Sequence, residues 1–183
     1  MAQTDFSIEK LKAKIGSEFA KGNRYNVNIK SPAGLTTFTD IPDRLQYLCE
    51  SVSLPTKSLA STPHDIYGPP REIPYRETFT ESALSFYLDD ALFVKRYFDD
   101  WQSLVINSES SNPQYWNNYT TPLVITRLQN QVDKFDSPIG DYKIELREAY
   151  PAVVGEVQLG HAQGNEILKL SVTFKYRRWN YIG

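Results

Sequence analysis

Leu168-Lys169-Leu170-Ser171-Val172-Thr173-Phe174-Lys175-Tyr176 alternates apolar and polar side chains without a break. Successive side chains of a strand point to opposite faces. Leu168, Leu170, Val172, Phe174 and Tyr176 therefore share a dry face, and Lys169, Ser171, Thr173 and Lys175 a wet one. A strand of that kind belongs to an antiparallel sheet that covers a core on one side only. The same period sets Tyr142, Ile144 and Leu146 against Lys143 and Glu145, and Tyr25, Val27 and Ile29 against Asn26, Asn28 and Lys30. Leu123–Leu128, Arg76–Phe79 and Leu84–Leu88 are also β-prone, with Leu84, Phe86 and Leu88 facing one way. Asp136-Ser137-Pro138-Ile139-Gly140 supplies a turn between Leu123–Leu128 and Tyr142–Leu146, so those two strands fit a hairpin. Ser31-Pro32-Ala33-Gly34 is a second turn, after which Thr-rich Leu35–Thr39 can pair back on the first strand.

One helix stands out. Over Ala91–Ile106, Val94, Tyr97, Phe98, Trp101, Leu104 and Val105 recur at helical spacing and form an apolar stripe. Lys95, Arg96, Asp99, Asp100 and Gln102 lie off it. Asp89-Asp90 precedes this run, and an acidic N-cap at Asp90 both accepts bonds from the free amides and complements the helix dipole. Ile8, Leu11, Ile15 and Phe19 give Ser7–Ala20 the pattern of a short amphipathic helix inside an N-terminal extension, 1–23. The predicted architecture is mainly β: two packed antiparallel sheets, as a sandwich or open barrel, with one flanking helix and the short N-terminal one, in a single domain over 1–183.

Between Pro55 and Pro74 five prolines and one glycine interrupt any regular pattern, so 53–75 reads as a loop. A loop of that length in a compact domain normally has a function. Asn107–Thr121 is a second, polar-aromatic loop.

The composition narrows the function by exclusion. Twenty basic and 22 acidic residues give a formal charge of -2, with 40% apolar and 23% charged residues, which fits neither a disordered chain nor a basic nucleic-acid binder. No apolar run approaches a signal sequence or a membrane span. The single Cys49 rules out a disulfide framework within the chain, and no motif joins it to His64 or His161 as a nucleophile with its base. The two histidines lack metal-ligand spacing, and Asp133, Asp136 and Asp141 lack the ligand pattern of a calcium loop. Asp89, Asp90, Asp99 and Asp100 are explained by the helix they cap and line, and neither GxGxxG nor GxxxxGK occurs. Tyr176-Arg177-Arg178-Trp179 could stack on bases, but four residues continuing a strand make no groove. No catalytic, cofactor-binding or metal-binding residue is predicted. What remains is a β body with 13% aromatic residues, 12 of them Tyr, and such side chains are enriched at protein interfaces.

Several segments then carry a likeness in order: Tyr25–Lys30, Ser53-Leu54-Pro55, Tyr67-Gly68-Pro69-Pro70-Arg71-Glu72-Ile73-Pro74, Phe79-Thr80, Leu84–Leu88 and Phe98-Asp99-Asp100-Trp101-Gln102. The most specific piece is Ala149-Tyr150-Pro151-Ala152-Val153-Val154-Gly155-Glu156-Val157-Gln158-Leu159, followed by Asn165-Glu166-Ile167 and a closing strand ending at Trp179. This succession, covering Arg24 to Trp179, resembles the tail tube proteins of contractile-tailed, T4-like bacteriophages. The resemblance implies two packed sheets with a flanking helix, hexameric rings that stack into a tube inside a contractile sheath, and six sheets joined into an inner barrel that conducts DNA. It implies as partners other copies of the chain, the sheath protein, the baseplate tube proteins, the tape measure protein and the transiting genome. It also implies a place in the virion tail after assembly in the host cytoplasm, with no enzymatic activity and no cofactor. A baseplate-proximal tube initiator and a tube subunit of a phage-derived injection system share the fold, and a β-barrel enzyme or ligand binder is the reading from another class.

Two sets of residues follow from this. Tyr67, Pro69, Pro70 and Arg71 are the expected contacts to a neighbouring subunit or the next ring. Lys143, Glu145, Lys169 and Lys175, on polar strand faces, are candidates for the channel wall. Because cations bind DNA by neutralising phosphates, carboxylates should offset those lysines if DNA is to slide.

Overall fold

The computed structural model describes residues 8, 20–37, 41–65, 68–107, 110–128, 141–160 and 166–182. The elements run β1 (Tyr25–Ile29), α1 (Ile41–Leu48), β2 (Cys49–Val52), β3 (Lys57–His64), β4 (Arg71–Phe79) and β5 (Ser82–Tyr87). They continue with α2 (Phe93–Val105), α3 (Trp116–Tyr119), β6 (Thr121–Arg127), β7 (Tyr142–Val154), β8 (Lys169–Lys175) and β9 (Arg178–Tyr181). The fold is mainly β, with two antiparallel sheets and few helices. Seven strands make the larger sheet, in the order β1-β6-β7-β8-β5-β2 with β9 also on β7, and β3 and β4 make the smaller one.

β7 is the strand that both halves of the larger sheet share. Its first part lies between β6 and β9, with Ile144 opposite Ile125 and Tyr181, and its second part pairs with β8, with Val154 opposite Val172. At the changeover Glu148 takes a left-handed backbone, φ 56°, and the pairing with β6 shifts register. The extra residue lets Leu146 and Ala149 both point inward, where strict alternation would send them to opposite faces. Both halves thus offer their apolar face to one core. At the outer strands the sheet nearly closes on itself, because the Tyr25 hydroxyl of β1 donates to the Cys49 carbonyl of β2 at 3.1 Å and to the Glu50 carbonyl.

The core joins Val27 and Ile29, Leu123 and Ile125, Ile144 and Leu146, Leu84 and Phe86, and Leu170, Val172 and Phe174 from five strands. α2 lays Val94, Tyr97, Phe98 and Trp101 against them, each at most 1% exposed, while Leu104 and Val105 are half-buried. Phe98 stacks on Trp101 at 6.3 Å and meets Phe174 edge-on at 5.9 Å, geometries that add about 0.5–1.5 kcal/mol per pair beyond burial. The polar tips are satisfied: Trp101 Nε1 donates to the Tyr119 carbonyl at 2.7 Å, and the Tyr97 hydroxyl meets Ser31 Oγ at 3.3 Å. Burial pushes the Tyr97 phenol up to about 12.

Several expectations need correction. The segment 53–75 is not a loop, for β3 and β4 form an antiparallel hairpin with Leu59 opposite Glu77 and His64 opposite Arg71. Proline lacks the amide a central strand needs, but each strand of an isolated hairpin has an open side, so Pro63 and Pro74 fit, the latter facing Ser61 where the register shifts. β1 pairs with β6, Tyr25 opposite Arg127, and the described part of the segment expected to pair with it, residues 35–37, forms no strand. The cap of α2 comes from Asp89, not Asp90: Asp89 Oδ1 accepts the Phe93 amide at 2.9 Å. α1 was not expected; Ile41 and Leu45, one turn apart, bury its inner face, and Pro42 sits where a helix start tolerates it. Of the N-terminal segment only Ile8 and Ala20 are described, so the helix predicted there lies outside the described residues, as do the Asp136–Gly140 turn and His161.

Candidate assembly surfaces

The β3–β4 hairpin is an arm. Strand alternation along β3 and the pairing place Leu59, Ser61, Glu72, Pro74, Glu77 and Phe79 on one face and Ser58, Ala60, Thr62, Ile73 and Arg76 on the other, with Tyr75 the extra residue at the register shift. Large apolar side chains stand open on the arm: Leu59 is 59% exposed on the first face, Ile73 46% on the second, and Tyr75 68% at the register shift. On the first face Lys57 and Glu77 pair at 2.6 Å, and Ser61 Oγ donates to Glu72 at 2.7 Å. Gly68, with φ 85°, Pro69 and Pro70 lie exposed at the tip, next to Arg71 at the start of β4, while Tyr67 is outside the described residues. Sequence reasoning found the tip and missed the paired strands with their exposed apolar side chains, because four of the five prolines fall within the arm and hid its alternation.

At the root of the arm lies an open cleft of about 690 Å³, lined by Phe79, Trp116, Tyr150, Tyr176 and four charged side chains. α3 brings Trp116 there, edge-on to Tyr150 at 5.9 Å and to Tyr119 at 5.5 Å. The left-handed turn at Glu148 aims its carboxylate at the same place, where it accepts Trp116 Nε1 at 2.7 Å and Arg177 at 3.1 Å. Desolvation works against the charge on Glu148, but these two donors prevail and hold its carboxyl below the ordinary range. On the far wall Lys175 pairs with Glu81 at 3.2 Å, and the Tyr176 hydroxyl, pushed up to about 12 by burial, donates to the Thr80 carbonyl. None of this was legible in the sequence.

The four residues predicted for a channel wall do not converge. Lys143 and Glu145 lie on the β6–β7–β9 half, and Lys169 and Lys175 at opposite ends of β8. Lys169, Lys175 and Glu145 have partners of opposite charge. Lys169 pairs with Glu50, which also accepts the Tyr87 hydroxyl at 3.2 Å and Ser85 Oγ at 3.3 Å. Its ammonium also stands 5.5 Å from the Tyr87 ring centroid. The hydrogen bond from Lys169 holds the Glu50 carboxyl below its ordinary range and raises the Lys169 ammonium in return. Glu145 takes Arg147 Nε at 2.9 Å, and Lys143 is exposed on the same strand.

For chemistry the described residues offer little. His64 is exposed near the arm tip, and Cys49 is half-buried with its thiol pushed up to about 11, first by burial. Among the described residues no group of three or more His, Cys, Asp or Glu is placed to hold a metal, and no helix is long and apolar enough to cross a membrane.

Comparisons with known proteins bear on the whole chain. The family described as phage tail tube protein matches residues 20–182. Solved structures with the same fold include an anti-feeding prophage tube-terminating cap, at 14% identity and TM-score 0.63 over 100% of this chain and 99% of that one. A sheath/tube terminator of an extracellular contractile injection system matches at 14% identity and TM-score 0.61, over 92% of this chain and 100% of that one. The SPP1 tail tube matches at 10% identity and TM-score 0.56, over 90% and 80%. No curated protein sequence matches.

Proposed function

The chain belongs to the phage tail tube protein family, and from that membership we propose that it is the main tube subunit of a contractile tail. Copies associate in hexameric rings, the rings stack into a tube within the sheath on a baseplate, and the tube holds the tape measure protein before it passes the genome. Its place is the virion tail, assembled in the host cytoplasm, and its work is structural rather than enzymatic.

The observation that carries this reading is the arm: nine residues of β4 and eight of β3, with Leu59, Ile73 and Tyr75 held out in water. An isolated hairpin is marginal in water, and large apolar side chains exposed along one mark a surface that another protein covers. Pro69, Pro70 and Arg71 at its tip reach furthest towards a neighbouring subunit. The outward faces of β7 and β8 suit a channel wall, since carboxylates partner Lys169, Lys175 and Arg147 and leave little free cation to hold phosphate. Negative-stain electron microscopy of the concentrated recombinant protein tests the reading. Rings or hollow tubes are expected. Particles that stay monomeric, and that assembled baseplates do not recruit into tubes, would overturn it; rings that never lengthen would move the chain to a tube end.

A further inference from the structure

The β5–β8 ladder defines two ends of the subunit. Ser82 pairs with Phe174 at one end and Tyr87 with Lys169 at the other. The arm and the aromatic cleft sit at the Phe174 end, since Ser82 Oγ donates to Ser53 at the arm's root and the cleft includes Lys175 and Tyr176. The chain leaving β7 and the chain entering β8 meet at the Lys169 end, where Glu156, Val157, Glu166 and Ile167 line a shallow depression. Gly155 fixes that exit: its amide donates to the Ser171 carbonyl at 2.7 Å, and a Cβ there would stand 2.9 Å from the same oxygen. Beyond it Leu159 is 75% and, across the gap, Ile167 67% exposed, with Glu156 and Glu166 beside them.

The two ends are complementary. One has an aromatic floor under Lys175 and Arg177, whose side chains stay 52% and 69% exposed despite their partners. The other has two bare aliphatic side chains flanked by carboxylates. We propose that the cleft of Phe79, Trp116, Tyr150 and Tyr176 receives Leu159 and Ile167 of a second copy of this chain, with the incoming Glu156 and Glu166 against Lys175 and Arg177. This rests on the tube-subunit reading and assigns the two surfaces of its end-to-end contact. Because the surfaces lie at opposite ends of one subunit, the contact is head to tail, and it extends in one direction instead of closing as a pair. Opposite charges at its rim fix register and polarity more than they add affinity.

A complementation experiment tests it. Ile167→Asp spoils the projecting end and leaves the cleft; Trp116→Ala opens the cleft and leaves the projecting end, with Arg177→Glu as a second cleft variant should the loss of the indole disturb the circular dichroism spectrum. Sedimentation velocity and negative-stain microscopy follow each protein alone and mixed. Wild type is expected to extend, each variant alone to lose all species longer than its single unit, and an equal mixture to form one added species of twice that unit. Variants that extend like wild type, or a mixture with no paired species, overturn the assignment while wild-type tubes keep the tube-subunit reading. A wild type that forms nothing overturns both.

Discussion

β8 and β4 are strands of similar length with opposite fates. β8 buries Leu170, Val172 and Phe174 completely, whereas every residue of β4 but Phe79 is exposed. The difference does not lie in hydrogen bonding, since both are paired antiparallel along their length. It lies in what covers the side chains, and only β8 has a helix laid over its apolar face. Pairing makes a strand; burial within the chain decides whether the strand belongs to the core or awaits another molecule.

The largest effect should come from removing what makes β8 different. Trp101→Ala deletes a side chain with no exposure that touches Phe98, Phe174 and the Tyr119 carbonyl, and should cost about 3–5 kcal/mol in a urea titration. A smaller effect is expected at the polar face behind the same strand. Glu50 is held ionised by the hydrogen bond from Lys169, so its folded-state value is depressed and its contribution is complete above the ordinary glutamate range and fades as pH falls through the depressed value. Thermal melts of wild type and Glu50→Gln should differ at neutral pH and converge in acid; a gap that holds constant would disprove that coupling. The smallest effect on folding belongs to the arm. Ile73→Ser with Tyr75→Ser should leave the monomer within about 0.5 kcal/mol of wild type, as surface changes do, while abolishing assembly. Destabilisation as large as that of Trp101→Ala would mean the arm is core after all.

These regions also differed in how well they could be read. The inward faces of β1, β7 and β8 follow from alternation alone, and the α2 stripe from a period of 3.6, because each is one segment with a simple rule. The arm obeys the strand rule too, but Pro63, Pro69, Pro70 and Pro74 look like a loop unless one knows that both strands are edges. α1 is short and carries only Ile41 and Leu45 as its signal. The cleft needs a left-handed residue at Glu148 to turn one carboxylate towards Trp116 and Arg177, and no local pattern announces it. The resemblance supplied the family, while the surfaces came from the fold.

The order of the strands also has a bearing on synthesis. β1 must wait for β6, and β5 for β8, so Tyr25 finds Arg127 and Leu84 finds Val172 only after most of the chain has been made. Until then the hairpin of Lys57 to Phe79 is a unit that can pair from local residues alone. A nascent chain on the ribosome therefore displays its stickiest strands before its core exists, and non-local pairing of this kind folds slowly and invites aggregation. The strand Arg178–Tyr181 emerges after β8 and completes the described pairing along β7, so its removal should hold up folding as a fault in the core would.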